Sequence, residues 1–342
     1  MTRKTQKVYV AMSGGVDSSV AAGLLKAKGF NVTGVFMKPW SPPNTPCIWK
    51  KEREDAMRAA AVLDIPLLTW DFSKEYKKSV ADYMIKEYSL GRTPNPDVMC
   101  NKEIKFGLFY KKAIAEGADK IATGHYVRCF KKGENYAIYE GKDKNKDQSY
   151  FLWALNPKIL SKCLFPIGEI KKTEVRRLAR KMGLPNYAKK DSQGVCFIGP
   201  LDMKNFLSSN IKPRAGKILD SKGDTIGTHD GVYYYTLGQR HGLNISIGSG
   251  PYYVIDKDIR KNIIYVGKER ELLKNKASIT KSNWFSGKKI NMDVRIRYRA
   301  KKEPVTLQKN VVMFKNPVRA ITSGQSAVFY VKERLVGGAI IK

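Results

Sequence analysis

The stretch VYVAMSGGVDSSVAAGLLKAKG, Val8 to Gly29, decides the fold. Val8–Met12 is a short apolar strand. Val16, Val20, Ala21, Leu24 and Leu25 recur at helical spacing, and Gly29 stops the helix. Between them lies a turn of small and hydroxyl residues. Small residues let backbone N–H groups approach an anion, and a helix N-terminus adds unpaired donors and a positive partial charge. Ser13, Ser18 and Ser19 can add hydroxyl donors. The turn has no lysine of the G-x-x-x-x-G-K type and lacks the G-x-G-x-x-G spacing, which disfavours P-loop phosphoryl transfer and dinucleotide binding. Asp17 would repel a phosphate directly, so its natural place is on a magnesium ion that accompanies a pyrophosphate. The plain alternative is a left-handed turn that needs glycine and binds nothing. The full string following a strand argues against it.

Outward from this turn, strand-like and helix-like segments alternate. Asn31–Met37 reads as a second strand, Glu52–Leu63 as a helix, Ile65–Phe72 as a third strand and Lys74–Tyr88 as a helix. Lys105–Glu116 reads as another helix, Asp119–Tyr126 as a fourth strand and Lys171–Pro185 as a helix with a glycine stop. The alternation predicts an α/β, doubly wound, mostly parallel sheet. In such sheets ligands sit beyond the strand C-termini, which brings the backbone near Met37 and Gly124 within range of a nucleotide held by Ala11–Ser18. After about Gly199, short β-branched runs are split by Gly, Asn-Pro and Asp-Lys turns, as expected for a small β domain followed by a β-barrel. The expected domains are 1–200, 201–268 and 269–342.

Of 342 residues, 63 are Lys or Arg and 31 Asp or Glu, a net charge of +32 that favours a polyanionic partner such as nucleic acid. A hydrophobic share of 42% excludes a mainly disordered chain. No apolar run approaches a membrane span, and MTRKTQKVYV leads from basic residues straight into a strand with no signal segment, so a cytosolic protein is expected. The five cysteines form no C-x-x-C pair and there are only three histidines, which disfavours zinc, iron–sulfur and other resident metal sites.

Two cysteines stand apart. In GRTPNPDVMCNKEIKFG, Gly91–Gly107, the prolines predict an extended loop, and Asp97 precedes Cys100 by three residues. A thiol near the start of the following helix, with Lys102 and Lys105 nearby, would have a lowered pKa. Asp97 opposes that shift but is well placed as an acid or base. Cys196 lies in KKDSQGVCFIG, Lys189–Gly199, bracketed by glycines, which suits an exposed loop. Cys47, Cys129 and Cys163 have no comparable setting and read as structural.

SGGVDSS resembles the PP-loop of the ATP pyrophosphatases, which split ATP into AMP and pyrophosphate to activate a carbonyl oxygen. NPDVMCNKEIKFG, ATGHYVR, KDQSYFLW, DSQGVCFIG, YTLGQRHGL and SGQSAVFY, in that order, resemble the tRNA-specific 2-thiouridylases. The resemblance implies that ATP adenylates O2 of the wobble uridine and that a sulfur nucleophile replaces AMP at C2. It makes Cys196 the persulfide carrier, Cys100 the nucleophile and Asp97 the general acid/base, with the two cysteines closing as a disulfide. It assigns ATP, with Mg2+, to Ala11, Met12, Ser13, Gly14, Gly15, Val16, Asp17, Ser18, Met37 and Gly124. It assigns the target base to Asn95, Pro96 and Asp97, and tRNA to His125, Lys146, Asp147, Gln148, Arg297, Tyr298 and Gln325. The implied partners are tRNA and a persulfide sulfur donor, either a cysteine desulfurase or a sulfur-relay protein, and the expected state is a monomer. As a strand, VRIRYRA would put Arg297 and Tyr298 on opposite faces, so one of them must act from a twisted or terminal position. Two readings compete: another PP-loop enzyme, such as an amide-forming ligase or a 4-thiouridine synthase, and a non-catalytic basic RNA-binding protein.

Overall fold

The computed structural model describes residues 5–42, 48–191, 203–245, 250–285, 287 and 290–342. Cys47, Cys196 and most of the DSQGVCFIG segment lie outside the described residues. The chain divides into two compact units, one of residues 1–80, 96–201 and 331–337, the other of 81–95, 202–330 and 338–342.

The first unit is built on five strands: β1 Lys7–Ala11, β2 Asn31–Lys38, β3 Leu67–Asp71, β4 Lys120–Ala122 and, later in the chain, Cys163–Leu164. They are mutually parallel, with Val8 opposite both Val32 and Lys120, Gly34 opposite Leu67, and Ile121 opposite Cys163. β1 is the central strand, and Val8 and Val10 are fully buried, as a parallel strand covered on both faces requires. The order puts β3 and β2 on one side of β1, and β4 and Cys163–Leu164 on the other. The winding direction therefore reverses at β1, and the crevice for a ligand opens at its C-terminal end.

Helix α1, Val16–Ala27, packs on this sheet with Val16, Val20 and Leu25 in a core shared with Val8, Val10 and Phe36. α2 is Ile48–Val62. α3, Ser73–Tyr76, passes through wide π turns at Lys77–Ala81 into α4, Asp82–Ser89, close to the predicted helix. The fourth predicted helix, Lys105–Glu116, begins earlier than expected. α5, Pro96–Met99, runs on through a π-helical stretch, Cys100–Phe109, into α6, Tyr110–Ala115. Pro96 is therefore the first helical residue, where a missing N–H costs nothing, rather than part of an extended loop. The fourth strand stops at Ala122, because Thr123–His125 leave the sheet.

Two features have no counterpart in the sequence reading. One is the fifth parallel strand. The other is the antiparallel hairpin β5 Val127–Lys132 and β6 Asn135–Glu140, which follows β4 and makes Cys163–Leu164 strand β7. α7, Lys172–Lys181, buries Val175 and Ala179 in the same core as α1.

In the second unit, α8 Met203–Ser208 precedes a five-stranded sheet ordered β10-β9-β8-β12-β11. Its strands are β8 Gly216–Leu219, β9 Thr225–His229, β10 Asn244–Ile245, β11 Tyr253–Asp258 and β12 Ile263–Gly267. Ile218, Val232, Val254, Ile264 and Val266 form its core. Then follow β13 Leu273–Trp284, β14 Asn291–Arg295, β15 Glu303–Gln308, β16 Val311–Arg319, β17 Ser326–Val331 and β18 Arg334–Ile341. They run in the order β13-β16-β15-β14-β17-β18, and β13 pairs with β18 to close a six-stranded barrel. Trp284 stacks on buried Phe329 at 5.1 Å.

The sequence reading of VRIRYRA as one strand is corrected here. β14 ends at Arg295, Arg297 and Tyr298 lie in the turn that follows, and Arg299 takes a left-handed conformation with φ 62°. Strand alternation therefore places no constraint on the pair.

Candidate active site

The Ser13–Ser18 turn leaves β1 at the switch point. Gly14, at φ +76°, lies so close to α2 that a Cβ would stand 2.2 Å from the Glu52 carbonyl oxygen, so both the turn and its packing demand glycine. Its own carbonyl accepts from Asn186 Nδ2 at 3.0 Å and Lys189 Nζ at 3.3 Å. Asn186 is buried and also donates to Ser19 Oγ at 3.0 Å. Pinning this carbonyl inward leaves the opposite side of the turn to an anion.

The hydroxyls are less available than their residue types imply. Ser18 and Ser19 are buried, and both Oγ atoms donate to the Gly15 carbonyl, at 3.0 and 3.1 Å. Ser18 Oγ also accepts from Ser13 N at 3.2 Å. Ser13 alone of the three is exposed. The side chains of Ala11, Met12, Val16 and Met37 are buried, so these residues can meet a nucleotide only through the backbone. Gly124, just past β4, closes on the turn so tightly that a Cβ there would sit 2.7 Å from Ser18 N. Gly124 therefore lies directly against the backbone of the turn.

Asp17, in the first turn of α1, is held from two sides. The Tyr126 hydroxyl donates to its Oδ1 at 2.6 Å and Lys172 Nζ at 2.7 Å. Lys172 also bridges to Asp191 Oδ1 at 2.8 Å, while Asp191 Oδ2 accepts from Lys146 Nζ at 2.5 Å and Oδ1 from Arg176 Nη2 at 3.1 Å. Burial works to raise the Asp191 carboxyl, but hydrogen bonds from Lys146 and Lys172 outweigh it and bring the pKa down to about 2. Burial, with the Asp17 carboxylate alongside, pushes the Tyr126 phenol far above its ordinary range, so it stays a donor. Of these groups, the sequence reading singled out Asp17 and Lys146; it missed Tyr126, Lys172, Asn186, Lys189 and Asp191 as site residues. Tyr126 and Asp191 do lie within the quoted motifs ATGHYVR and DSQGVCFIG, but nothing local marks Lys172 or Asn186.

The remaining tRNA candidates of this unit are engaged within the protein. Asp147, buried, accepts from Gly141 N, Ser149 N and Ser149 Oγ at 3.0 to 3.1 Å. Gln148 clamps Tyr126 through Oε1···N at 3.0 Å and N···O at 3.1 Å. His125 is buried against Phe106 and Phe165, at ring distances of 5.7 and 6.4 Å, with Nδ1 2.7 Å from Thr123 Oγ1. Burial, with Lys105 nearby, holds its pKa well below the usual value, so the ring is neutral at pH 7.

That aromatic contact also anchors the helix bearing Asp97 and Cys100, together with Phe109 against Trp70 at 5.7 Å. Asp97 is half-buried one turn before Cys100, on the same side of the helix. Cys100 has no exposed surface, unlike the polar setting its sequence neighbours imply. Burial pushes the Cys129 thiol up to about 11 and that of Cys163 higher still, so neither is a nucleophile at neutral pH.

In the second unit, Gln325 Nε2 donates to the carbonyls of Thr93 and Pro94 at 2.9 and 3.3 Å, bracing the segment that ends in half-buried Asn95. Arg297 Nη2 donates to Ala320 O and Thr322 Oγ1, both at 3.0 Å, and to Leu237 O at 3.2 Å. Half-buried Tyr298 lies under the Arg299 guanidinium at 5.0 Å.

A five-stranded parallel sheet that turns its chain direction at β1, with SGGVDSS at that point, defines a PP-loop nucleotide-binding protein. Residues 6–200 match the tRNA methyl transferase HUP domain, 204–268 the tRNA methyl transferase PRC-barrel domain and 274–341 the aminomethyltransferase β-barrel domain. The chain is 46% identical over 350 residues to a tRNA-specific 2-thiouridylase MnmA of Geobacillus kaustophilus, covering 98% of this chain and 94% of the relative. It is 43% identical to that of Bacillus subtilis at the same coverage. Among solved structures, the U34-tRNA thiolase NcsA of Methanococcus maripaludis is similar at 21% identity and a TM-score of 0.39, over 61% of this chain and 65% of that one. The chain belongs to the MnmA family of tRNA-specific 2-thiouridylases. No helix among the described residues is long and apolar enough to cross a membrane.

Proposed function

We propose that this protein is an ATP-dependent tRNA-uridine 2-sulfurtransferase acting on the wobble uridine. The observation that carries the reading is the near full-length match to 2-thiouridylases in a chain whose PP-loop opens at the sheet's switch point. The C2 oxygen of uracil is a poor leaving group. Attack of O2 on the α-phosphorus of ATP, a substrate, expels pyrophosphate and leaves C2 bearing AMP. The target base must leave its stack to be reached.

Cys196 carries the persulfide. Its terminal sulfur bonds to C2, the C2–O bond to AMP breaks, and the Cys100 thiolate takes the inner sulfur. The persulfide sulfur is thereby reduced and a Cys100–Cys196 disulfide forms, which a thiol reductant must reopen for turnover. Asp97, one turn from Cys100, exchanges the proton with the thiol or the base. Among the described residues no group of three or more His, Cys, Asp or Glu could hold a metal, so Mg2+ would take Asp17 as its protein ligand and phosphate oxygens for the rest. When bound, it supplies positive charge to the pyrophosphate.

Asn95, Pro96 and Asp97 contact the base. Lys146, Arg297 and Tyr298 contact tRNA, while His125, Asp147, Gln148 and Gln325 shape the surfaces that do. The catalytic domain is 1–200, the central domain 201–268 and the barrel 269–342. The working unit is a cytosolic monomer supplied by a persulfide-carrying protein.

The test is tRNA-dependent formation of AMP and pyrophosphate, with mass spectrometry of the product nucleoside. Cys100→Ser and Cys196→Ser abolish 2-thiouridine and Cys129→Ser does not. Equal activity in all three variants, or ATP turnover driven by an amino acid instead of tRNA, overturns the proposal.

A further inference from the structure

The segment Gly91–Asn95 has no regular structure, yet its backbone is held at almost every step. Gly91 N and Arg92 N close the end of α4 on Tyr88 O and Glu87 O, at 2.8 and 2.9 Å. Thr93 N donates to Ser323 O at 2.9 Å, and Gln325 takes the carbonyls of Thr93 and Pro94. The Gly91 carbonyl accepts from Lys257 Nζ at 2.9 Å, and the same ammonium donates to Tyr235 O at 2.7 Å. Two of its three protons thus go to backbone carbonyls of two different segments. Burial brings this ammonium down to about 8, with Asp256 opposing, so it is still mostly charged at pH 7. Ile259 closes on the same spot, where a Gly91 Cβ would stand 2.2 Å from its Cδ1. Lys257 lies on β11, and that strand also pins the Thr236–Gln239 turn, through Gly238 N on Val254 O at 2.8 Å and Val254 N on Gln239 O at 3.0 Å. The turn belongs to YTLGQRHGL, Tyr235–Leu243, a motif for which the reaction above has no use. Thr236 Oγ1 lies 3.2 Å from Thr93 Oγ1. All of these residues belong to the second unit.

We propose that Lys257, with Thr236 next to its acceptor Tyr235, is a positioning residue for the target uridine. The two hold the Gly91–Pro94 backbone so that Asn95, and Pro96 and Asp97 after it, stand in one fixed place before tRNA arrives. The inference rests on the reading above of Asn95–Asp97 as the base-contacting segment. A loose segment would have to be ordered on each flipped base, whereas a braced one meets the base preformed. Lys257 touches neither base nor nucleotide in this role and transfers no proton.

The test is single-turnover formation of 2-thiouridine by the persulfide-loaded full chain at saturating tRNA and MgATP, beside titrations of both ligands. Lys257→Met slows the step about 10- to 100-fold, as a displacement approaching 1 Å does, while both affinities stay within about twofold. Lys257→Arg, which can still donate to both carbonyls, recovers most of the rate. In an Asn95→Ala background Lys257→Met costs less than about threefold, because the group it positions is already gone. A wild-type rate in Lys257→Met, affinities that fall with the rate, or an undiminished loss in the Asn95→Ala background overturns the proposal. Should Lys257→Met fail to fold, Thr236→Val, which removes the hydroxyl facing Thr93, is measured in the same way. A slowed step at unchanged affinity then supports the brace, and a wild-type rate overturns it. Asn95→Ala alone at the wild-type rate sinks the base-contact reading, whereas a slow Asn95→Ala beside a fast Lys257→Met sinks Lys257 only.

Discussion

Gly124→Ala adds one methyl group where β4 meets the PP-loop. Gly124 has no left-handed φ, so alanine fits its backbone and the effect is steric alone. The new Cβ would stand 2.7 Å from Ser18 N, 2.8 Å from the Asp17 carbonyl carbon and 3.0 Å from Ser18 Cα. All three are backbone atoms, so no side chain can swing aside. Relaxing the closest approach to an ordinary 3.4 Å moves the turn or the strand end by about 0.7 Å. Overpacking of this kind costs about 1–3 kcal/mol, or about 2–12 °C in the melting transition of this unit. The displacement acts on the atoms that hold the phosphates, and an error approaching 1 Å can cost about 100-fold in rate. Pyrophosphate release therefore falls much further than the fraction folded. Thermal melts, ATP titration and pyrophosphate release are measured beside Gly287→Ala, whose Cβ meets nothing within 4 Å. A variant with wild-type melting and wild-type ATP affinity would refute the claim that Gly124 sets the floor of the nucleotide crevice.

Cys100 has no exposed surface, so in the protein without tRNA it reacts with iodoacetamide more than about tenfold slower than glutathione, read by peptide mass spectrometry; equal rates would contradict its burial. Asp191, depressed from 3.8 to about 2, contributes stability that is present above its unfolded pKa and is lost as pH falls through about 2. Lys146→Met removes one source of that depression, so the variant loses less melting temperature than wild type between pH 5 and pH 3, and equal losses would show that the ion pair is inert. Gln325→Ala frees the Thr93 and Pro94 carbonyls and lowers stability by about 1 kcal/mol in denaturant titration; unchanged stability with weakened tRNA binding would make Gln325 an RNA contact instead of a brace.

The strand–turn–helix at Val8–Gly29 is legible because every cue in it is local: apolar strand, glycine turn, helical spacing. The burial of Cys100 is not legible, for the opposite reason. Its sequence neighbours Asn101, Lys102 and Lys105 suggest a wet setting, but a helix running from Pro96 points Cys100, Asn101 and Ile104 inward. Only the tertiary face decides burial. The β5–β6 hairpin was missed because Phe130–Tyr136, with two lysines before a glycine turn, alternates weakly, and β7 has two residues, too few for any period to register. Lys172 and Asn186 act across 155 and 172 residues, and nothing in the chain near either one announces the contact.

The side chains singled out for RNA sort by what already occupies them. Asp147 spends both carboxylate oxygens on three donors at Gly141 and Ser149, and neutral His125 lies beneath two phenylalanine rings. Gln148 grips both backbone groups of Tyr126. Breaking such buried contacts to meet a phosphate would leave polar groups unpaired at a cost of about 1–3 kcal/mol each. Gln148 holds Tyr126, and Tyr126 in turn holds Asp17. Lys146 differs, because its ammonium sits on a partly exposed carboxylate that a phosphate can replace at little cost. An alanine substitution at Gln148 thus acts on tRNA through the nucleotide turn, while Lys146 acts on it by charge, and the salt dependence of binding separates the two.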